Sequence, residues 1–127
     1  MNGTVREWMD KAEGDYRTAR REFQTADEPN YDAVCFHAQQ CVEKWMKAVL
    51  IHNSVDPPRI HNLERLYESL QSVCPNVTLD IEELRDLTGV GMAVRYPGEA
   101  ADREDAAKAL AICEGLRDAL KKLLYNG

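Results

Sequence analysis

The chain has 127 residues, a length typical of one domain, and its formal net charge is −6. That charge argues against a general nucleic-acid binder, which needs a basic surface, but leaves room for a small basic pocket holding one nucleotide or RNA end. No apolar run reaches about 18 residues and the N-terminus lacks a secretory pattern. We therefore expect a cytoplasmic protein with no membrane segment, formed by one domain over residues 1–127.

The cysteines and histidines show no metal or redox spacing. Cys35, Cys41, Cys74 and Cys113 form no Cys-x-x-Cys pair. We expect reduced thiols, most of them packed on apolar stripes. His37 and Cys41 share a helical face, but no second pair has comparable spacing, and a metal site needs three or four ligands. No metal site and no cofactor are predicted.

The N-terminal half contains two predicted helices. The first starts at the capping-box pattern of Thr4 and Glu7 and continues to about residues 21–24. The second is capped by Asn30 and runs to about His52. A linker with two prolines follows and excludes continuous helix.

The C-terminal half contains three more predicted helices. The third helix spans about His61–Val73 and has His61 as its cap. The fourth spans about Leu79–Ala93, with Ile81 facing inward. The last helix runs from its cap, Asp102, to about Leu124. Strand signals are weak throughout. The expected fold is all-α, an up-and-down bundle of about five helices with a four-helix-bundle core.

The second predicted helix carries a polar row beside its apolar stripe. His37, Gln40, Lys44 and Lys47 follow one another at three- and four-residue steps. A surface helix usually keeps such groups opposite the core, whereas here they flank it, where a bundle groove or subunit interface would lie. Ammonium and amide donors suit a phosphate. The alternatives are a solvated or intersubunit polar row, with Glu43 pairing Lys47.

Four features together resemble the HEPN domain family (higher eukaryote and prokaryote nucleotide-binding). They cover nearly the whole chain, and their order and spacing are more specific than any one alone. They are Trp8, Ala12, Asp15 and Ala19; Ala38-Gln39-Gln40 with Glu43-Lys44 and Lys47-Ala48; a proline linker leading to His61-Asn62-Leu63 and Leu66; and Ala93-Val94-Arg95-Tyr96-Pro97.

The resemblance implies a helical bundle that forms a homodimer, with a polar cleft near the subunit interface. Family members are often encoded beside a minimal nucleotidyltransferase and pair with it in a toxin–antitoxin module. Others bind nucleotides, and a catalytic branch cuts RNA without a metal. The partners to expect are therefore a second copy, a nucleotidyltransferase, and a nucleotide or RNA ligand.

The sequence departs from the RNA-cutting branch at one position. Members of that branch resemble one another in an Arg followed four to six residues later by a His; Arg95 matches the arginine, but no histidine follows His61. Proton transfer near neutral pH usually needs an imidazole, and Tyr96 is a poor substitute. We therefore favour a non-catalytic protein with no catalytic residue assigned. The alternative, a metal-independent endoribonuclease toxin, requires His37 or His61 to enter the cleft from another helix.

Two further positions complete the candidate site. Asp15 lies at the edge of an apolar stripe and needs a partner, for which Lys44, Lys47 and Arg95 are available; a purely structural ion pair is the alternative. The guanidinium of Arg95 can form paired hydrogen bonds with a phosphate, and Tyr96 can stack on a base. The alternative for Arg95 is that it caps the carbonyl groups at the end of the helix. The predicted nucleotide-binding or interface cleft comprises Asp15, His37, Gln40, Lys44, Lys47, Arg95 and Tyr96.

Overall fold

The computed structural model describes residues 2–125, which form five α-helices and contain no β-strand. The helices are α1 (Gly3–Phe23), α2 (Tyr31–His52), α3 (Leu63–Val73), α4 (Ile81–Ala93) and α5 (Arg103–Tyr125). The predicted all-α, up-and-down bundle is confirmed. Within this range no helix combines the length and the apolar character needed to cross a membrane.

All five helices start at a side chain that accepts the backbone N–H three residues later. In α1, α2 and α5 the acceptors are Asn2, Asn30 and Asp102, at 2.8, 3.0 and 2.8 Å. The caps predicted at Asn30 and Asp102 are confirmed. The capping box predicted at Thr4 and Glu7 is wrong, because Asn2 already caps α1 and both residues lie inside the helix.

The starts of α3 and α4 differ from the prediction by two residues. Asn62 caps α3, so His61 precedes the helix and is not its cap. Asp80 caps α4 and accepts two backbone N–H groups. As a result Leu79 is buried in the approach to the helix, whereas Ile81, predicted to face inward, is 43% exposed.

Helix α2 is the centre of the bundle and packs against each of the other four helices. Trp45 and Met46 are fully buried within the chain. Because α2 is surrounded, some of its polar side chains are buried too, namely Gln39, Glu43 and the polar-row residue Lys47. Such groups must find partners inside the bundle, since an unpaired buried polar group is costly.

Helix α4 reaches α2 at a glycine. A Cβ atom on Gly91 would lie 2.7 Å from the Cβ of Gln39, closer than real Cβ atoms approach one another. Only a residue without a side chain allows this approach. The helix continues through Gly91 to Ala93, and the close contact holds its C-terminal end, followed by Arg95, against α2.

Candidate functional site

Asp15 of α1 binds two side chains of the polar row. It is buried; its Oδ1 accepts a hydrogen bond from His37 Nδ1 at 2.7 Å, and its Oδ2 accepts one from Lys44 Nζ at 2.6 Å. A carboxylate can only accept, so Nδ1 of the imidazole carries the hydrogen and Nε2 remains available. We call these three residues the Asp15 cluster. Of the three predicted partners, Lys44 pairs with Asp15, whereas Lys47 and Arg95 do not.

One edge of this cluster opens into a cleft between α2 and the end of α4. The guanidinium of Arg95 lies over the ring of Phe36, 5.0 Å from its centre, and His37 lies next to Phe36 on the same wall. Among residues 2–125, Arg95 forms no ion pair. This Arg95 cleft has a volume of about 320 Å³ and is lined by Asn30, Asp32, Ala33, Phe36, His37, Val94 and Arg95.

The rest of the polar row serves a buried carboxylate. Glu43 accepts hydrogen bonds from Lys47 Nζ at 3.1 Å, Gln39 Nε2 at 3.2 Å and His61 Nδ1 at 3.0 Å. Gln40 donates to the Oε1 of Gln39 at 2.8 Å and so supports the same network. The i,i+4 pairing predicted for Glu43 and Lys47 is confirmed. In this Glu43 cluster, Lys47 is buried and turned to the carboxylate rather than to the Arg95 cleft.

The seven predicted site residues therefore divide into three groups. Asp15, His37 and Lys44 are directly bonded, and Arg95 shares a cleft with His37. Gln40 and Lys47 belong to the Glu43 cluster. Tyr96 is 63% exposed and does not line the Arg95 cleft. The side chain of Arg95 rests on Phe36, and its cation–π contact takes the place of the helix-capping role considered as the alternative.

Sequence reasoning missed the ring that supports Arg95 and the histidine that binds Glu43. Phe36 precedes His37, which places the two rings edge to face with centres 5.3 Å apart. The only sequence signal for the role of Phe36 is that an aromatic residue stands beside the polar row. His61 Nδ1 reaches Glu43 from the linker ahead of α3. Asparagine is a preferred helix cap, so Asn62 was the sequence signal that the side chain of His61 is left for another contact.

A partly buried ion pair, also missed, lies on the other side of α1. Arg117 of α5 donates to both carboxylate oxygens of Glu13, and the indole N–H of Trp45 donates to the same carboxylate. Burial raises the pKa of Glu13, but the hydrogen bond and charge of Arg117, with the charge of Lys121, outweigh burial and lower it overall. The hydrogen bond to Glu13 raises the pKa of Arg117. We call this group the Glu13 cluster.

Two of the buried thiols, those of Cys35 and Cys41, have raised pKa values and stay protonated near neutral pH. Burial raises the pKa of Cys35 to about 11, and a hydrogen bond with Cys113, together with burial, raises that of Cys41. Residues 2–125 contain no group of three or more His, Cys, Asp or Glu side chains arranged to hold a metal ion. Cys41 is fully buried against α5 whereas His37 faces the cleft, so the two do not converge.

Two solved structures share this architecture. TT1696 from Thermus thermophilus superimposes with a TM-score of 0.79 at 18% identity, over 96% of this chain and 99% of the other. ST0689, an archaeal HEPN homologue, gives a TM-score of 0.66 at 21% identity, over 92% and 94% of the two chains. No curated protein matches the chain. A family model of the HEPN domain matches residues 5–123. The chain belongs to the HEPN domain family.

Proposed function

We propose that this chain is a non-catalytic HEPN protein that binds a nucleotide in the Arg95 cleft. The observation that carries the proposal is the position of Arg95: its guanidinium lies on Phe36 beside His37 and is free of ion pairs in the described chain. An unpaired guanidinium presents a planar fork that matches a phosphate. The volume of about 320 Å³ lies within the range of roughly 300–1,000 Å³ usual for small-molecule sites.

Such a complex gives roles to Phe36 and His37 in the cleft and, through Asp15, to Lys44. Phe36 supports the guanidinium of Arg95 through a cation–π contact with its ring. His37 keeps Nε2 available for a phosphate or ribose oxygen, because Asp15 occupies Nδ1. Lys44 binds the other oxygen of Asp15 and so fixes the carboxylate that orients the imidazole. The site is therefore organised before a ligand arrives, which reduces the entropy lost on binding.

Calorimetry with AMP tests the proposal. The wild-type chain should bind AMP, and Arg95→Ala should weaken binding about tenfold or more, since a hydrogen bond to a charged group contributes about 1.5–3 kcal/mol. Arg103→Ala is the matched control, because Arg103 also lies over an aromatic ring, that of Phe23, at 4.6 Å. Equal affinities for the wild type and Arg95→Ala would contradict the proposal.

We further propose that the protein forms a homodimer and pairs with a minimal nucleotidyltransferase in a toxin–antitoxin module. Membership of the HEPN family supports this assignment. Ile81, Met92 and Tyr96, on α4 and the turn after it, are 43%, 50% and 63% exposed and offer apolar surface for a second chain. Light scattering should give twice the 14.4 kDa of one chain; a strict monomer at micromolar concentration would contradict the dimer.

The second candidate is a metal-independent endoribonuclease, and one observation favours it. His37 enters the Arg95 cleft from α2, and Asp15 holds its Nδ1 as a carboxylate holds a general-base histidine. In this candidate, His37 of α2 would serve in place of the imidazole that is missing after Arg95 in the sequence. RNA cleavage by the purified protein in a chelator, lost in both Arg95→Ala and His37→Asn, would replace the non-catalytic assignment. Intact RNA would remove this candidate.

A further inference from the structure

Four exposed arginines lie where α1 ends and α5 begins. Three are on the last two turns of α1 and one is the first residue of α5, namely Arg17, Arg20, Arg21 and Arg103. None of them forms an ion pair within residues 2–125. Acidic side chains outnumber lysine and arginine by 22 to 16, so a shortage of carboxylates does not explain this. We call this surface the arginine patch.

Two guanidiniums of the arginine patch rest on aromatic rings of α1. Arg20 lies over the ring of Tyr16, 5.5 Å from its centre, and Arg103 lies over that of Phe23 at 4.6 Å. Tyr16, Arg20 and Phe23 follow one another at four- and three-residue steps, so they share one face of α1. A ring against a guanidinium restrains the side chain, and less entropy is then lost when the guanidinium binds an anion.

Helix-end electrostatics account for only part of the arginine patch. Arg20 and Arg21 belong to the last turn of α1, where the helix dipole favours cations. Arg103 is the first residue of α5, where the dipole disfavours them. The start of α5 is held in place because the backbone N–H of Ala101 donates to Asp32 of α2 at 2.7 Å. Arg103 thus occupies an unfavourable position close to other cations, which an external anion would relieve.

Carboxylates border the arginine patch and limit the kind of anion that fits it. Glu104 and Asp105 follow Arg103 on α5, and Asp27 and Glu28 lie in the turn after α1; all four acidic residues are exposed. A nucleic acid carries a charge at every phosphate, so a strand crossing the patch would meet these carboxylates as well. A protein segment can place a few carboxylates on the arginines and neutral residues at the acidic border. The distribution of charge therefore favours a protein ligand.

We infer that the arginine patch is a docking surface for an acidic segment of a partner protein. A guanidinium binds a carboxylate through two parallel N–H···O hydrogen bonds. Alternate side chains of an extended segment lie on the same side, so acidic residues at every second position can reach several arginines at once. None of the four arginines lines the Arg95 cleft, and docking does not depend on nucleotide binding.

Fluorescence anisotropy with two labelled octapeptides tests the inference. One peptide alternates glutamate with serine, and the other alternates glutamine with serine. The wild-type chain should bind only the acidic peptide, and its affinity should fall as salt is added, because the contacts are exposed. Arg20→Ala combined with Arg103→Ala should weaken binding about fivefold, as expected for the loss of two exposed charge pairs. Equal affinity in the wild type and this double variant would overturn the docking surface.

Two further variants and a second probe complete the experiment. Arg59→Ala with Arg65→Ala is the matched control, because both residues are exposed arginines outside the patch; affinity for the acidic peptide should stay unchanged. Arg20→Lys with Arg103→Lys keeps the charge without the planar guanidinium and should restore only part of the affinity. A thymidine octanucleotide that binds the patch more tightly than the acidic peptide would overturn the inference in favour of nucleic acid. Light scattering that shows a smaller assembly for the alanine double variant would overturn it in favour of a second copy.

Discussion

Glu13 and Asp15 lie two residues apart on α1 and face different neighbours. Glu13 meets Arg117 of α5 and the indole of Trp45, a fully buried residue. Asp15 meets His37 and Lys44 of α2. Two positions on a helix differ by about 200° in direction, so one turn of α1 supplies a carboxylate to each side. The same functional group is therefore used twice, in two different surroundings.

The two carboxylates differ in the location of their partners, which pack between helices for Glu13 and line open clefts for Asp15. The Glu13 cluster joins α1, α2 and α5, and its arginine donates through two nitrogens to one carboxylate. The partners of Asp15 continue outward: His37 lines the Arg95 cleft, and Lys44 lines a groove on the α1 side together with Glu7, Trp8 and Lys11. A partly buried ion pair alone is thus weak evidence of function, as Glu13 illustrates. Partners that reach open clefts make Asp15 the better indicator of a site.

The largest stability change should follow removal of Glu13. Glu13→Ala leaves the mostly buried guanidinium of Arg117 without its carboxylate, and we expect a loss of about 2–3 kcal/mol in the free energy of unfolding. AMP affinity should stay unchanged. Urea denaturation measures the first and calorimetry the second. Asp118→Ala removes the exposed partner of Arg117 and should cost about 0.5 kcal/mol or less. Similar losses in the two variants would remove the distinction.

The next largest loss of stability should follow disruption of the contact that holds α4 against α2. Gly91→Ala places a Cβ atom 2.7 Å from that of Gln39, so the helices must separate, and we expect a loss of about 1–3 kcal/mol. At Gly89 the added Cβ meets no atom within 4 Å, and alanine there should stabilise the helix by about 0.5–1 kcal/mol. Thermal unfolding of the two variants, Gly91→Ala and Gly89→Ala, should therefore show changes in stability of opposite sign. A neutral Gly91→Ala would contradict the close packing.

Asp15→Asn should affect binding more than folding. The neutral amide has one acceptor oxygen for the two donors of His37 and Lys44 and attracts neither by charge, so AMP affinity should fall about fivefold. The freed lysine and histidine can turn to water, so the free energy of unfolding should change by about 1 kcal/mol or less. Calorimetry measures the AMP affinity of the variant and the wild type, and urea denaturation measures their free energies of unfolding. A larger loss of stability than in Glu13→Ala would make Asp15 the structural residue.

The smallest effect should be a pH dependence that belongs to the Glu13 cluster. The pKa of Glu13 is lowered from its ordinary value of 4.5 in the folded chain. The unfolded state therefore binds a proton first, and this stabilisation is present above that value and lost as the pH falls below it. Between about pH 6 and about pH 3, Glu13→Gln should lose less stability than the wild type. Parallel curves for the two proteins would contradict this assignment.

The sequence predicts what local periodicity controls. The helix count, the polar row on α2 and the pairing of Glu43 with Lys47 all depend on residues three or four positions apart. The starts of α1 and α3 were misassigned because each has two nearby residues able to cap, and only the backbone decides between them. The prolines and caps do place the breaks between helices within about two residues.

Long-range packing explains what the sequence could not provide. The contact of Arg117 with Glu13 depends on how α1 and α5 are oriented, and that of Gly91 with Gln39 on how α4 crosses α2. Arg95 and Tyr96 are neighbours in the turn after α4, yet only Arg95 lines the cleft, because side-chain directions in a turn do not follow a helical period. The candidate site was therefore predicted as a set of residues, without its division into clusters.

Histidine-ring NMR during an AMP titration tests the central claim most directly, because the chain has only three histidines. His37 lines the Arg95 cleft, whereas His52 lies at the end of α2 and His61 binds Glu43. We predict that AMP shifts the ring resonances of His37 and leaves those of His52 and His61 in place. Shifts confined to the other two histidines, or none at saturating AMP, would contradict nucleotide binding beside Arg95.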